Sequence, residues 1–591
     1  MHLPVKLKTQ LIYLFWAFLD AFALASALTL AIARRYGSNI FYIQSVPELN
    51  MPLLVISTAV LTAGFFGLFN VKKRLYRYLT PLCVTVFGVT VNLVSSVARP
   101  YFALAICCVA VAAALTVKDK FSDKLPELLK GGNLYFLILT LTVIMAAQVA
   151  FVGITRHRCY SSSTFDLGIF AQMYHFMSVD FTQNTTIERN VLLSHFAVHF
   201  SPVYYLLLPF YMIFPSVECL LAAQAAICFS GVIPLLLLCK RWRYGGKATL
   251  GISLAFLLYP AFSGGLLYDF HENAFLVPLL LWLLYFVESN NTVGIAVSAL
   301  LTLCVKEDAG IYVVFIGMYA LFGKRVRRVN SVMLLIAGAS GFIAVTSLVE
   351  AIGEGIKVSR YQIYLNAGQD SLTDVVMNVI RNPAFFFSRL LNETKLLFLV
   401  QMLVPLLFLP VKTRKLSDWM LFAPMVLVNL ASDYAYQADL NFQYVFGSGV
   451  LMVFLFAKNI RYVKGKAKLA ATAAMAAAII LSGVVTEKYE SIERFYLNYE
   501  SITATDQTLA EIPRDAVIFS TTYFTPHLAD CENLYMYPFV YSADKDIVPD
   551  YVVLDNRGGV VKEYSELVNY WQEQGYTVIS KEGYATVLVS S

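Results

Sequence analysis

"HFAVHFSPVYYLLLPFYMIF", residues 195–214, is as long and apolar as a membrane-crossing helix, and whether it crosses sets the orientation of everything that follows it. Lysine- and arginine-rich loops stay cytoplasmic. The basic clusters here are "VKLK" at the N-terminus, "KKR" (72–74), residues 118–130, "KRWRYGGK" (240–247), "KRVRR" (324–328), "KTRK" (412–415) and "KNIRYVKGKAK" (458–468). Counting 195–214 as a span puts the later clusters on the wrong face. If the segment lies in the interface or re-enters, every cluster falls inside, and only "ARR" (33–35) is left outside. Two histidines and two prolines, Pro202 and Pro209, suit an interfacial or broken helix better than a lipid-facing one. The segment is therefore read as non-crossing.

Outward from that decision, the chain is built for a bilayer. Of its 591 residues 58% are hydrophobic and 14% charged, about half the charged share of soluble domains. Apolar runs recur at 12–33, 52–70, 76–97, 101–117, 134–153, 217–239, 247–266, 272–288, 292–305, 309–323, 330–349, 395–411, 416–432, 443–457 and 469–485. The expectation is an α-helical polytopic protein of the plasma membrane with about 13–15 transmembrane helices, its N-terminus cytoplasmic and its C-terminus outside. The first run is too long for a signal-peptide core and is read as a retained helix. A net charge of +6, dispersed between apolar runs, speaks for topology and against a nucleic-acid partner. From 486 onward the chain turns polar, with short β-like runs "AVIFS", "LYMYP", "YVVLD", "YTVIS" and "ATVLVS" and a helical "VKEYSELVNYWQEQ", which predicts a small extracytoplasmic α/β domain over 486–591. Residues 350–394 hold amphipathic stretches that would lie over the external face. Seven of nine cysteines sit in or beside apolar runs; Cys159 and Cys531 fall in aqueous segments, and sequence leaves their pairing open.

This topology, chosen from basic residues alone, brings the unusual polar residues to one face. Asp166 stands in "TFDLGIFAQ" (164–172) just beyond a span, where apolar walls would raise a carboxylate's proton affinity and make it a general base. The competing reading is a helix cap built from Ser163, Thr164 or Asp166. His195 and His199 share a helical face, but Phe196 stands where a zinc-protease pattern needs Glu, leaving phosphate or sugar contact against ordinary interfacial histidines. "YDFHENAF" supplies Asp269, His271 and Glu272 in one short turn, fit for a divalent cation or a phosphate, or merely a solvated cap. "KED" places Lys306, Glu307 and Asp308 between short spans, where charge is hard to solvate. Arg156, Arg158 and Arg360 are external cations that bind phosphate or snorkel to headgroups. The turn "SDYAYQADLNFQY" (432–444) offers aromatic and amide groups suited to carbohydrate, Tyr444 among them, although tyrosines are routine at interfaces. There is no phosphate-binding glycine loop and no cytosolic nucleotide domain.

Taken together, "FDLGIFAQ", "LLSHFAVHFSPVYYLLLPFY", "LLAAQA", "DFHENAFLVPLLL", "KEDAG", "IPRDAVIFSTTYFTPHLA", "LYMYP" and "DYVVLDNRGG" resemble a family of bacterial and archaeal polytopic membrane proteins of unknown function. That family is similar to the GT-C superfamily of integral membrane glycosyltransferases, which take sugar from a polyprenyl-phosphate carrier. The resemblance spans roughly 134–591 and implies a GT-C-like division: a four-helix extension over 1–130, a seven-span core over 131–349 with its first external loop at 154–216, further helices over 395–485, and the tail. It implies Asp166 as catalytic base, with Glu307 and Asp308 beside it. Arg156, His195, His199, Asp269, His271, Glu272, Lys306 and Tyr444 would bind substrate, and Asp269, Glu272 and Glu307 are candidate ligands for Mg2+ or Mn2+. Lys306, His271 and Arg156 would face the departing phosphate. The implied partners are a polyprenyl-phosphate-linked sugar, an extracytoplasmic glycan, lipid or protein acceptor, and the bilayer. Where the resembled family carries a His-Tyr pair this chain has Gln443 and Tyr444, which leaves the pair's role open. The rival readings are a transporter or flippase, which predicts midplane charges and inverted repeats, and a non-catalytic protein that binds carrier lipid.

Overall fold

The computed structural model describes residues 4–34, 49–73, 75–95, 98–117, 130–162, 166–353, 358–538, 547–561 and 564–590. Ser163, Thr164, Arg35, Arg74 and most of the 118–130 cluster lie outside them. Among the described residues ten helices are long and apolar enough to cross a membrane: Lys6–Ala33, Met51–Val71, Tyr76–Val94, Gly132–Arg158, Val217–Arg241, Gly246–Leu266, Glu272–Ser289, Arg328–Ile352, Gln443–Tyr462 and Lys466–Leu497. Shorter apolar helices stand at Pro100–Thr116, Tyr204–Ile213, Thr292–Leu303, Ala309–Phe322 and Leu416–Leu430. The protein is thus a multi-pass membrane protein.

Helix burial does not simply follow hydropathy. Gln443–Tyr462, among the least apolar of the ten, is buried over nearly all of its length and forms the centre of the bundle. Arg328–Ile352 and Met51–Val71 instead leave Ile336, Ile343, Val55, Ile56 and Val60 exposed, a surface that suits lipid. Small polar groups join the N-terminal helices to the core: the Asn92 amide donates to Ile479 O (3.1 Å) and Ser482 Oγ (3.0 Å), and Thr486 Oγ1 donates to Asn92 O.

One segment follows the sequence reading of a broken, non-spanning element, and two others differ from what was expected. Segment 195–214 is a 3-10 turn, His195–Ala197, followed by a ten-residue helix, Tyr204–Ile213; that helix is about 15 Å long, half a hydrocarbon core. The expected span 395–411 is no continuous helix: it runs helical from Glu393 to Leu403 and then breaks into 3-10 turns, because Pro405 and Pro410 remove backbone donors and Leu407 and Phe408 turn left-handed. The expected span 469–485 belongs to a 32-residue helix, Lys466–Leu497, that continues beyond the apolar stretch into the tail.

The tail forms a five-stranded sheet. Its strands are β3 (Val517–Ser520), β4 (Asn533–Met536), β5 (Tyr551–Asp555), β6 (Tyr576–Ser580) and β7 (Ala585–Ser590), following a two-residue pair, β1 (Asn184–Thr185) and β2 (Leu193–Ser194), in the loop after Gly132–Arg158. Sheet order is β4-β3-β5-β7-β6; β4, β3 and β5 run parallel, and β7 is antiparallel to its neighbours. The helix Tyr564–Glu573 covers one face through Trp571 and Leu567. The open edge of β4 is met by the first loop: Asn190 exchanges two 2.8 Å hydrogen bonds with the Met536 backbone, and Thr186 Oγ1 donates to Leu534 O. Gly168 of "FDLGIF" lets Thr525 of the tail approach, since a Cβ there would collide with the Thr525 side chain. Cys159 and Cys531 join the same core cluster, yet both are free thiols.

Candidate functional site

Where the tail, the first loop and the ends of the core helices meet lies a cavity of about 990 Å³. Asp166 opens the helix Asp166–Asp180, whose Leu167, Phe170, Ala171 and Tyr174 are buried and fix the direction of its first turn. The Asp166 carboxylate lines the cavity. His271 Nε2 lies 3.2 Å from Asp166 Oδ2, and Tyr268 donates to the same oxygen at 3.3 Å. Oδ1 receives no hydrogen bond among the described residues. Burial pushes this carboxyl's pKa up, but the His271 hydrogen bond and charge, the Tyr268 bond and Lys306 outweigh it and hold the group below its ordinary range. The expectation of a raised proton affinity is therefore corrected: Asp166 is a carboxylate across the neutral range.

From segment 195–214 and the loop before it comes a buried chain of contacts. His195 Nδ1 stands 2.7 Å from Glu188 Oε2, and its Nε2 is 3.4 Å from the Tyr204 hydroxyl, which donates to Glu272 Oε2 at 2.9 Å. Glu272 Oε1 accepts from Lys306 Nζ at 2.7 Å. Burial disfavours an imidazolium at His195, but Glu188 overrides it and raises the pKa. At His199 burial, with Lys306 second, lowers it. Glu307 is held well below its usual range: burial raises it, and His199 and Lys306 more than compensate. An ionised Glu307 can only accept, so its 2.8 Å contact assigns the proton to His199 Nδ1 and leaves Nε2 as an acceptor. Burial and the neighbouring Glu307 lift Asp308 to about 6, against the pull of Lys306 and Arg360. Glu307 Oε2 and Asp308 Oδ1 are buried without a partner among the described residues.

The opposite wall comes from 432–444 and from Arg360. The Arg360 guanidinium lies 5.2 Å from the centre of the Tyr444 ring and 5.5 Å from that of Tyr434. A second cavity of about 550 Å³ adjoins, lined by Phe342, Val349, Leu372, Val375, Val376 and Phe386 among other mostly apolar side chains. The helix Leu372–Arg381 of the 350–394 segment contributes Leu372, Val375 and Val376 to that lining. His199, Lys306 and Arg360 line both spaces, so two cations stand where a polar chamber meets an apolar groove.

Of the expected residues, Asp166, His195, His199, His271, Lys306 and Tyr444 line the polar chamber; Glu307 and Asp308 line the groove; Glu272 is buried behind Lys306. Arg156 and Asp269 line neither. Arg156 is buried and donates to the backbone carbonyls of Leu267 and Tyr268, so it holds the "YDFHEN" turn from beneath instead of facing the chamber. Among the described residues no group of three His, Cys, Asp or Glu side chains is disposed to hold a metal, so the Asp269, Glu272 and Glu307 set is not assembled. Among the lining residues that the sequence reading did not single out are Glu188, Tyr268 and Lys488. The spacing of Glu188, seven residues before His195, gave no signal, and Lys488 was hidden by ending the last span too early.

The sequence profile of a family described as "Predicted membrane protein (DUF2079)" matches residues 156–582, well over half of the chain. The chain belongs to this family. All the site residues named above lie within the match, and the first four helices lie outside it. No curated protein sequence matches this DUF2079 member. Among solved structures, ArnT from Cupriavidus metallidurans bound to undecaprenyl phosphate is similar at 12% identity with a TM-score of 0.47, over 76% of this chain and 97% of that one. The apo state of ArnT from the same organism gives 13% identity and a TM-score of 0.39, over 77% and 98%.

Proposed function

We propose that the chain is a membrane glycosyltransferase of GT-C type that moves a sugar from a polyprenyl-phosphate donor to an acceptor outside the cytoplasm. The observation that carries this reading is the shared wall. An apolar groove, a pair of cations and a polar chamber succeed one another in the order of a donor's parts: isoprenoid chain, phosphate, sugar. In this reading the chamber faces outward, the N-terminus is cytoplasmic, and the motif resemblance to GT-C enzymes points the same way.

The acceptor oxygen attacks the anomeric carbon while the bond from that carbon to the phosphate oxygen breaks, and the electron pair leaves on the phosphate. Lys306 and Arg360 place positive charge where that negative charge grows. Asp166, ionised and held by His271 and Tyr268, takes the acceptor's proton through its open oxygen. His199 Nε2 is disposed to accept from a sugar hydroxyl. Glu272 orients Lys306, and Glu188 and His195 brace Glu272 through Tyr204. The products are the glycosylated acceptor and the polyprenyl phosphate.

The test is incubation of purified protein in lipid nanodiscs with radiolabelled polyprenyl-phosphate sugars and candidate acceptors. Label should move to an acceptor with wild type and not with Asp166→Asn, which should stay folded and inserted. Retained turnover in the variant removes Asp166 from the mechanism, and labelled donor that binds but never releases sugar overturns the reading.

A further inference from the structure

The tail contributes more to the chamber than a roof. Beside Glu487 and Lys488 of the long helix, the lining residues of its sheet fall in three groups: Thr521, Thr522 and Tyr523 after β3, Met536, Tyr537 and Pro538 at the end of β4 and just beyond, and Val560 and Val561 in the loop after β5. These are the carboxyl ends of the three parallel strands. The chain leaves β3 for β4 on one side and returns to β5 on the other, so the strand order reverses direction between β3 and β5. In open α/β sheets ligands bind in the crevice at the carboxyl ends of the strands, beside such a reversal. Here that crevice opens into the membrane-edge chamber.

Two polar atoms in the crevice have nothing to bond. Thr521 is 3% exposed, and Thr521 Oγ1 and Thr522 Oγ1 are buried with no partner among the described residues. Across the chamber Gln443 Oε1 is buried and unpartnered as well. A buried hydroxyl without a hydrogen bond is costly, and such groups are normally satisfied. The unmet set is two hydroxyls, which give and take, and one acceptor. The eight lining residues that the sheet contributes are all uncharged and two are tyrosines, whereas the charged tail residues on the chamber, Glu487 and Lys488, belong to the long helix Lys466–Leu497. Tyr523 is held in place by the Arg557 guanidinium, 5.0 Å from its ring centre, and Arg557 is fixed in turn by Asp555. Neutral lining, hydroxyl-matching atoms and fixed aromatic rings suit a polyhydroxylated ligand without charge.

We infer that the crevice at the carboxyl ends of β3, β4 and β5 is a binding subsite for a neutral saccharide unit, held by the Thr521 and Thr522 hydroxyls against Tyr523. That this saccharide is the acceptor rests on the transferase reading; that a saccharide binds there does not. A ligand here is positioned by the tail while its reacting hydroxyl points down toward the chamber floor.

The experiment is saturation-transfer NMR on the full-length protein in nanodiscs, with cellobiose, maltose, mannobiose and lactose as probes and no donor present. At least one disaccharide should bind wild type and Asp166→Asn alike, and the Thr521→Val/Thr522→Val double variant should weaken it at least tenfold. The unfolding temperature of the double variant should be unchanged, because the lost hydroxyls have no partner in the protein, and Tyr523→Ala should weaken the same probe independently. If none of the four binds the folded protein, or the double variant binds as wild type does, the subsite is refuted. Saccharide binding lost in the threonine variants alongside an absence of sugar transfer would keep the subsite and sink the transferase; transfer with undiminished binding in those variants would do the reverse.

Discussion

Glu272 and Glu288 stand at opposite ends of one membrane helix, about 24 Å apart at the helical rise; Glu272 is buried and Glu288 largely so, and both are ion-paired. Glu272 holds Lys306 at 2.7 Å. Glu288 holds Arg325 at 2.8 Å and accepts from Tyr319; Arg325 also reaches Asp418 at 3.1 Å, and Asp418 holds Lys458. The second cluster ties the helices Glu272–Ser289, Ala309–Phe322 and Gln443–Tyr462 together and lines neither cavity. The first opens on both through Lys306. Buried charge alone therefore does not mark a site in this protein: a sequence reader sees carboxylates and cations at both ends, and only access to a cavity separates a strut from a candidate site.

Three experiments put that contrast at risk. The largest effect falls on turnover: Asp166→Asn should lower sugar transfer by a factor of about 10² to 10⁴, whereas Asp418→Asn should leave the rate of the folded fraction unchanged. Equal loss in both would erase the distinction. Next come the pairs themselves. Lys306→Met and Asp418→Ala each strand a buried partner charge, at a cost of about 3–5 kcal/mol, visible as a lower unfolding temperature. Added polyprenyl phosphate should restore stability to Asp418→Ala and to wild type but not to Lys306→Met, because only the latter has lost a phosphate contact. Restoration of all three places the phosphate elsewhere.

The smallest effect is pH-dependent. Asp308 is lifted from 3.8 to about 6 by burial and Glu307. A carboxyl with a raised folded pKa binds more protons folded than unfolded, so its contribution to stability falls as pH rises from about 4 to about 6 and is level above that. Asp308→Asn should therefore gain unfolding temperature over wild type, with the gain growing between those pH values and constant beyond. A gain that is independent of pH, or that shrinks toward neutrality, would show Asp308 ionised at no cost.

Much of the membrane plan was legible because it is written in local pattern: apolar runs, basic clusters and alternating tail strands. The convergence of "FDLGIF", "DFHEN" and "KED" followed from the positions of lysines and arginines. What was not legible depends on contacts between distant residues. Asn190 meets Met536 across 346 residues, and nothing in either neighbourhood announces it. Arg156 looked like a phosphate ligand by position, but packing turned it onto backbone carbonyls. The proton affinity of Asp166 was misjudged because burial was visible in sequence and the His271 and Tyr268 bonds that reverse it were not.

The transferase reading requires the Lys306–Arg360 wall to seat a carrier phosphate with its chain in the apolar groove. Cryo-electron microscopy of the protein in nanodiscs with polyprenyl phosphate tests it most directly. Density for the phosphate within hydrogen-bonding distance of Lys306 and Arg360, with the isoprenoid chain running past Val375 and Phe386, is the expected result. A phosphate seated away from both cations, or an isoprenoid chain outside the groove, would contradict it.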